Sequence, residues 1–321
     1  MISFRRAWPA MLLVILAAAP FATGNPFYQR VAALVVLAAI SASAWNVIGG
    51  YAGQISFGHS IYFGIGAYAS LLVFSKFGLP PIAGAPFGVL ASFVVSLIVG
   101  PPTFRLRGHY FSMGTFAIAA LAQILMLNWK FAGGAIGVMG PATPRSLADL
   151  LFRNSLPYYA IFLAVLILLL ALTHLMQRSR MGFYLRAIGS GERAAESLGV
   201  PVQRYKLYAL LISGAFTALA GSLYAVMIGF IDPASGFGVL ISVNMVVIAA
   251  LGGVGTLFGP LAGAIILVPL QEATNALLGG GGTGAAYIAY GLIIMLIARF
   301  SPGGLAEIWR LVFRKERGRA A

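Results

Sequence analysis

The chain has no cysteine among its 321 residues. That excludes a disulfide framework, a thiol nucleophile and a thiolate metal site. Acidic residues are almost as scarce: there are seven, Asp149, Glu192, Glu196, Asp232, Glu272, Glu307 and Glu316. None precedes Asp149, and none falls at the centre of an apolar segment. Pumps driven by protons or sodium commonly carry a carboxylate inside a span, because an intramembrane ionisable group must carry or balance the coupling charge. Its absence argues against that class, although backbone carbonyls can also hold sodium. The three histidines, His59, His109 and His174, lie far apart and form neither an H-E-x-x-H pattern nor a metal-ligand cluster. No nucleophile stands beside a base, so an enzyme is not expected, and neither is a metal or cofactor. No G-x-x-x-x-G-K-[ST] occurs, so the chain carries no P-loop of its own.

What is present is apolar. Hydrophobic residues make up 60% of the chain and charged residues 9%, against about 25% charged in a soluble globular chain. Long apolar runs recur throughout, without the period-two alternation of a barrel, so an all-α polytopic membrane protein is expected. Ten segments stand out, near 8–22, 31–48, 57–75, 82–100, 109–129, 156–176, 206–229, 239–252, 256–271 and 285–300. The first resembles a secretory leader, since Arg5 and Arg6 precede the run Met11–Ala19. Nine further segments follow, so it is read as the first span. The eighth and ninth are short for a bilayer that wants roughly 20 helical residues, and are open to a broken-helix or re-entrant reading.

Charge orders the topology. The net charge of +14 would suggest nucleic acid in a soluble protein, but here the basic residues sit in short loops and a tail, the positive-inside pattern. Ten crossings with the N-terminus inside put Arg105, Arg107, the basic residues from Arg178 to Lys206, and the tail residues Arg310, Arg314 and Lys315 on the cytoplasmic side. Fusing the eighth and ninth segments would throw the basic tail outside, so ten crossings are expected, with eight as the parity-preserving alternative. Residues 302–316 read as an amphipathic interfacial helix on anionic lipid, with Leu305, Ile308, Trp309 and Val312 on one face. The whole chain, 1–321, reads as a single transmembrane domain.

Two glycine-rich breaks interrupt the spans: GGYAGQISFGHS at 49–60 and GGVGTLFGP at 252–260. The second carries Gly255, Gly259 and Gly263, a small-xxx-small ladder suited to tight packing. The first carries Gln54, Ser56, His59 and Ser60, shortly after Asn46. Polar groups at membrane depth either line a path or bind one another, and both roles are open for Gln54, Ser56 and His59. Asn244 and Gln123 are lone amides in apolar runs, suited either to interhelical hydrogen bonds or to a solute path. The connection from Lys130 to Pro157 is long and reads either as a lip for a soluble partner or as a solvated link.

Between 178 and 206 a basic stretch leaves the membrane pattern. A short helix is expected over Glu192–Leu198, with Gly199 taking a left-handed C′ position and Pro201 barring continuation. Ala194, Ala195 and Leu198 form a small apolar face suited to docking in a groove of another protein.

AAESLGV at 194–200 resembles the coupling loop of ATP-binding-cassette permeases, although Arg193 stands where that loop carries a glutamate, with Glu192 one place earlier. YAGQISFGHSIYFGIGAY (51–68), RLRGHYFSMGTFAIA (105–119), AGGAIGVMG (132–140), LRAIGSGERAAESLGVPVQRYKL (185–207) and LGGVGTLFGPLAGA (251–264) occur in that order. Together they resemble the LivM-type permease of branched-chain amino acid importers, and RLRGHYF favours that type over the LivH-type sister. The resemblance implies an importer in a bacterial inner membrane. Its other parts would be a LivH-type sister permease, two ATPase subunits, and a periplasmic or lipid-anchored binding protein for branched-chain amino acids or related small amino acids, amides or acids. It places ATPase coupling on Arg186, Glu192, Ala194, Ala195, Glu196, Leu198 and Gly199, and a substrate path near Gln54, Ser56, His59 and Asn244. A secondary transporter or a passive channel for small polar solutes is the alternative.

Overall fold

The computed structural model describes residues 25–141, 150, 152, 154–277, 291, 292 and 295. The expected first span at 8–22, the amphipathic tail at 302–316 and nearly all of the tenth segment lie outside the described residues, as do the termini.

Helix α1 (Pro26–Asn46) starts where the Asn25 side chain accepts from the Phe27 N–H at 2.9 Å, with Pro26 at the first helical position, where its missing N–H costs nothing. It runs on into a wider, π-type turn over Val47–Tyr51, at the first glycine break. Then come α2 (His59–Phe77), α3 (Gly84–Thr103), α4 (His109–Asn128) and α5 (Leu156–Arg178). Two short helices, α6 (Arg180–Ser190) and α7 (Glu192–Ser197), lead to the long α8 (Val202–Ile228). The five-residue α9 (Pro233–Phe237), α10 (Val239–Gly252) and α11 (Gly259–Leu277) follow. The connection after α4 is tied down: Val138–Met139 pairs antiparallel with Phe230–Ile231, and Ala132 and Val138 are buried.

Among the described residues, seven stretches are long and apolar enough to cross a membrane: 26–51, 59–77, 81–103, 109–128, 156–178, 202–228 and 233–252. Helix α11 has the length, but Gln271, Glu272 and Asn275 make its second half polar. The eighth and ninth expected segments are therefore two separate helices packed on each other, not one broken span. The ninth is longer than expected, which places Glu272 inside a helix rather than just beyond one.

Helix α1 is the axis, with 83% of its most apolar window buried, against 22% for α4 at the periphery. It packs against α5, α8, α10 and α11, while α2 packs on α8 and α3. In a bilayer no hydrophobic force draws helices together, so small residues at the crossings matter. A Cβ on Gly66 would lie 1.8 Å from the Ala218 carbonyl oxygen, and one on Gly221 would lie 1.9 Å from that of Phe63. The Ser222 hydroxyl donates to the Gly66 carbonyl at 2.9 Å across the same crossing. The outer faces of α3 and α4 present Phe87, Leu90, Ile98, Phe116 and Leu125, as suits an apolar solvent.

Candidate functional site

The two glycine breaks meet at one end of the bundle. Asn46 is the clamp: its Nδ2 donates to the Thr256 carbonyl at 2.9 Å, and its Oδ1 accepts from the Gly255 N–H at 2.8 Å. A Cβ on Gly50 would collide with this clamp, 1.9 Å from Asn46 Oδ1. Gly259 and Gly263 do pack closely on α10, where a Cβ would come within 2.3 Å of the Gly253 carbonyl and 2.0 Å of the Ile248 carbonyl, respectively. Gly255 departs from the expected ladder, because it lies in the turn before α11 with φ of +73°. Replacing Asn46 with Leu removes both bonds and leaves the Gly255 N–H without this acceptor, a penalty of about 1–3 kcal/mol. We expect Asn46→Leu to insert and extract normally but to lose several degrees of thermal stability in detergent, read by a thermal-shift assay.

Within the first break, Ser56 and His59 are sealed in. The imidazole Nδ1 lies 3.2 Å from the Ser56 hydroxyl and Nε2 lies 2.7 Å from the Ser213 hydroxyl, which itself donates to the Ala44 carbonyl at 2.6 Å. Trp45 Nε1 donates to the Ser56 carbonyl at 2.8 Å. Gln54 is buried beside them, its amide reaching the Ala52 carbonyl only at 3.5 Å. The void next to Ser56 is about 10 Å³, room for a single water. In this conformation the cluster is a closed network, not an open path.

Asn244 lies elsewhere. It lines a cavity of about 360 Å³ at the opposite end of the bundle, bounded by α1, α8, α10 and α11. The sequence marks Gln54, Ser56 and His59 as a polar cluster at a glycine break and Asn244 as a lone amide in an apolar run, and the fold keeps Asn244 apart from the other three.

The basic insert packs against the first glycine break. Helix α6, read from the sequence as a loop, buries Gly182, Leu185 and Ile188. A Cβ on Gly189 would lie 2.7 Å from the Tyr51 carbonyl, so its backbone rides directly on the π-type turn. Gln177 at the end of α5 donates to the Tyr51 hydroxyl, and Arg186, exposed on α6, donates to the Gln177 carbonyl at 3.3 Å. Helix α7 ends at Ser197, and Gly199 takes φ of +79° as the spacing implied.

The apolar face of α7 is divided differently from the expectation that Ala194, Ala195 and Leu198 all turn toward a partner. Ala195 is 2% exposed and packs on Ile188 and Val202, whereas Ala194 is exposed and Leu198 is 83% exposed. The cause is electrostatic as well as steric. Glu192 Oε2 meets Lys206 Nζ at 2.7 Å, with Lys206 wholly buried and 5.9 Å from the centre of the Phe104 ring. The contact is a close ion pair that offsets part of the cost of burying the ammonium. Glu196 pairs with Arg107 at 3.2 Å, on the exposed turn between α3 and α4. The buried pair and the inward burial of Ala195 leave no mark in the sequence, where Lys206 reads as one more loop cation.

The family model for the permease component of branched-chain amino acid transport systems matches residues 27–299. The chain is 28% identical over 333 aligned positions to the LivM permease protein of the high-affinity branched-chain amino acid transport system of Salmonella typhimurium, covering 96% of this chain and 76% of that one. The Escherichia coli LivM protein matches with the same identity and coverage. The BraD permease protein of Pseudomonas aeruginosa is 25% identical over 83% of this chain and 90% of its own length. With its helical spans, paired glycine breaks and folded basic insert, the chain belongs to the family of branched-chain amino acid transport permeases.

Proposed function

We propose that this chain is one of two membrane subunits of an ATP-binding-cassette importer for branched-chain amino acids in a bacterial inner membrane. Its partners would be a LivH-type sister permease, two ATPase subunits, and a periplasmic or lipid-anchored binding protein. The face bearing α6 and α7 is cytoplasmic on this reading, because Arg105, Arg107, Arg178, Arg180 and Arg186 gather there. The two glycine breaks and the Gln54, Ser56 and His59 cluster then form an inner gate. Asn244 belongs to the outer part of the path.

The observation that carries this reading is the geometry of α7. It is held to the bundle from behind by Ala195, Glu192 and Glu196, and it presents Leu198, with Ala194, to whatever lies beyond. An exposed leucine on the tip of a fixed short helix fits a groove in another protein. Burying one leucine there is worth about 1.5–3 kcal/mol, roughly 10- to 100-fold in affinity. Leu198→Asp therefore leaves the permease folded but strips the ATPase subunits during co-purification and lowers ATP-driven L-leucine uptake by at least about tenfold. Retained ATPase and normal uptake in this variant would exclude α7 as the coupling element.

A further inference from the structure

The cavity that holds Asn244 has a chemistry of its own. Residues 30, 34, 37, 38 and 41 line it along one face of α1, the i, i+4, i+7 spacing of a helical stripe. Eleven residues of helix span about 16 Å, so the cavity runs lengthwise from the end of the bundle toward its middle. At the end stand Arg30 and Glu272, on different helices. Neither makes an ion pair or a side-chain hydrogen bond among the described residues. The nearby carboxylate of Asp232 caps α9, accepting from the Ser235 N–H at 2.7 Å, whereas Glu272 has no such partner among the described residues. Deeper in, Leu37, Phe63 and Ile248 make the wall apolar.

A cation and an anion that form no ion pair among the described residues, at the mouth of one cavity with both polar and apolar walls, invite a ligand carrying the complementary charges. We infer that this cavity binds a free α-amino acid with an aliphatic side chain, its carboxylate on Arg30, its ammonium on Glu272 and its side chain against Phe63 and Ile248. The volume of about 360 Å³ falls in the range of small-molecule pockets. This inference rests on the import reading above and deepens it, because it gives this subunit a recognition site of its own. A zwitterionic lipid headgroup offers the same pair of charges, and the test separates the two.

The chain has no cysteine, so Ala38→Cys places a single thiol in the cavity wall. In the full importer, purified in detergent, the rate of maleimide labelling is read on this subunit's band. Millimolar L-leucine should slow labelling about tenfold, whereas L-leucine amide, lacking the carboxylate, and isocaproate, lacking the ammonium, should have little effect. Arg30→Gln should abolish the protection by L-leucine. If that variant does not assemble, the analogue series on the otherwise native subunit decides. Equal protection by the amide overturns the proposal. So does slowing by phosphatidylethanolamine alone with nothing added by leucine, since the occupant would then be lipid. ATP-driven leucine uptake without any protection overturns the site and leaves the import reading standing. Protection without ATP-driven uptake keeps the site and removes that reading.

Discussion

Lys206→Met should free α7 from the bundle. The ammonium is wholly buried, and its partner Glu192 is 19% exposed in its side chain. Removing one member of a buried pair leaves the other charge uncompensated, at a cost of about 3–5 kcal/mol. The docked position of α7 then loses on the order of 100-fold or more in its equilibrium. Trypsin cleavage at Arg193, exposed on α7, should accelerate, and ATP-driven uptake should fall to near background while the subunit still inserts. The double variant Glu192→Gln with Lys206→Met should restore slow cleavage, because no buried charge remains without a partner. Cleavage at the native rate in Lys206→Met alone would mean that Ala195 and the Arg107–Glu196 pair hold the helix by themselves. The exposed pair is the weaker fixing, since surface ion pairs contribute about 0–1 kcal/mol.

The second large effect is on the fold itself. Gly221→Leu places a side chain where the α2 backbone already sits, with the first added carbon 1.9 Å from the Phe63 carbonyl oxygen. Main chain cannot rotate away as a side-chain end can, so α2 and α8 must separate. Overpacking alone costs about 1–3 kcal/mol, and separation also breaks the Ser222–Gly66 bond and the histidine–serine chain between the same two helices. Size-exclusion chromatography of the detergent extract should show aggregated or absent protein. Gly191→Ala is the control, since its added carbon would meet nothing nearer than 3.7 Å and its φ of 175° suits any residue. A monodisperse Gly221→Leu protein would contradict the close crossing.

Much of this architecture is written in the chain at low resolution. Eight of the ten apolar segments coincide with described helices, because continuous apolar length is a strong signal. The short helix before Gly199 was readable because its stop signals, glycine and then proline, are local. Helix α6 escaped because Arg180 and Arg186 make its composition look like a loop, and only its position against the Tyr51 turn makes it half-buried. The burial of Lys206 could not be read, since a lysine at a predicted span end is ordinarily solvated. The clamp from Asn46 joins residues 210 positions apart, and the Arg30–Glu272 cavity joins α1 to α11. Pairings at such separation leave no periodic trace in one sequence. Asn244 was picked out by its polarity alone, while Gln54, Ser56 and His59 were grouped by nearness in sequence. Asn244 lines the cavity, and Ser56 and His59 are hydrogen-bonded to each other and to Ser213.

The central claim is that this chain forms a path driven by separate ATPase subunits through the insert at 178–206, whose short helix exposes Leu198. Uptake of radiolabelled L-leucine into proteoliposomes containing both permeases and the binding protein, with and without the ATPase subunits, tests it most directly. Accumulation against a gradient only when the ATPase subunits and ATP are both present is the predicted result. Accumulation driven by a proton or sodium gradient without them, or downhill flux indifferent to ATP, would contradict it and return the chain to the secondary transporters or the channels.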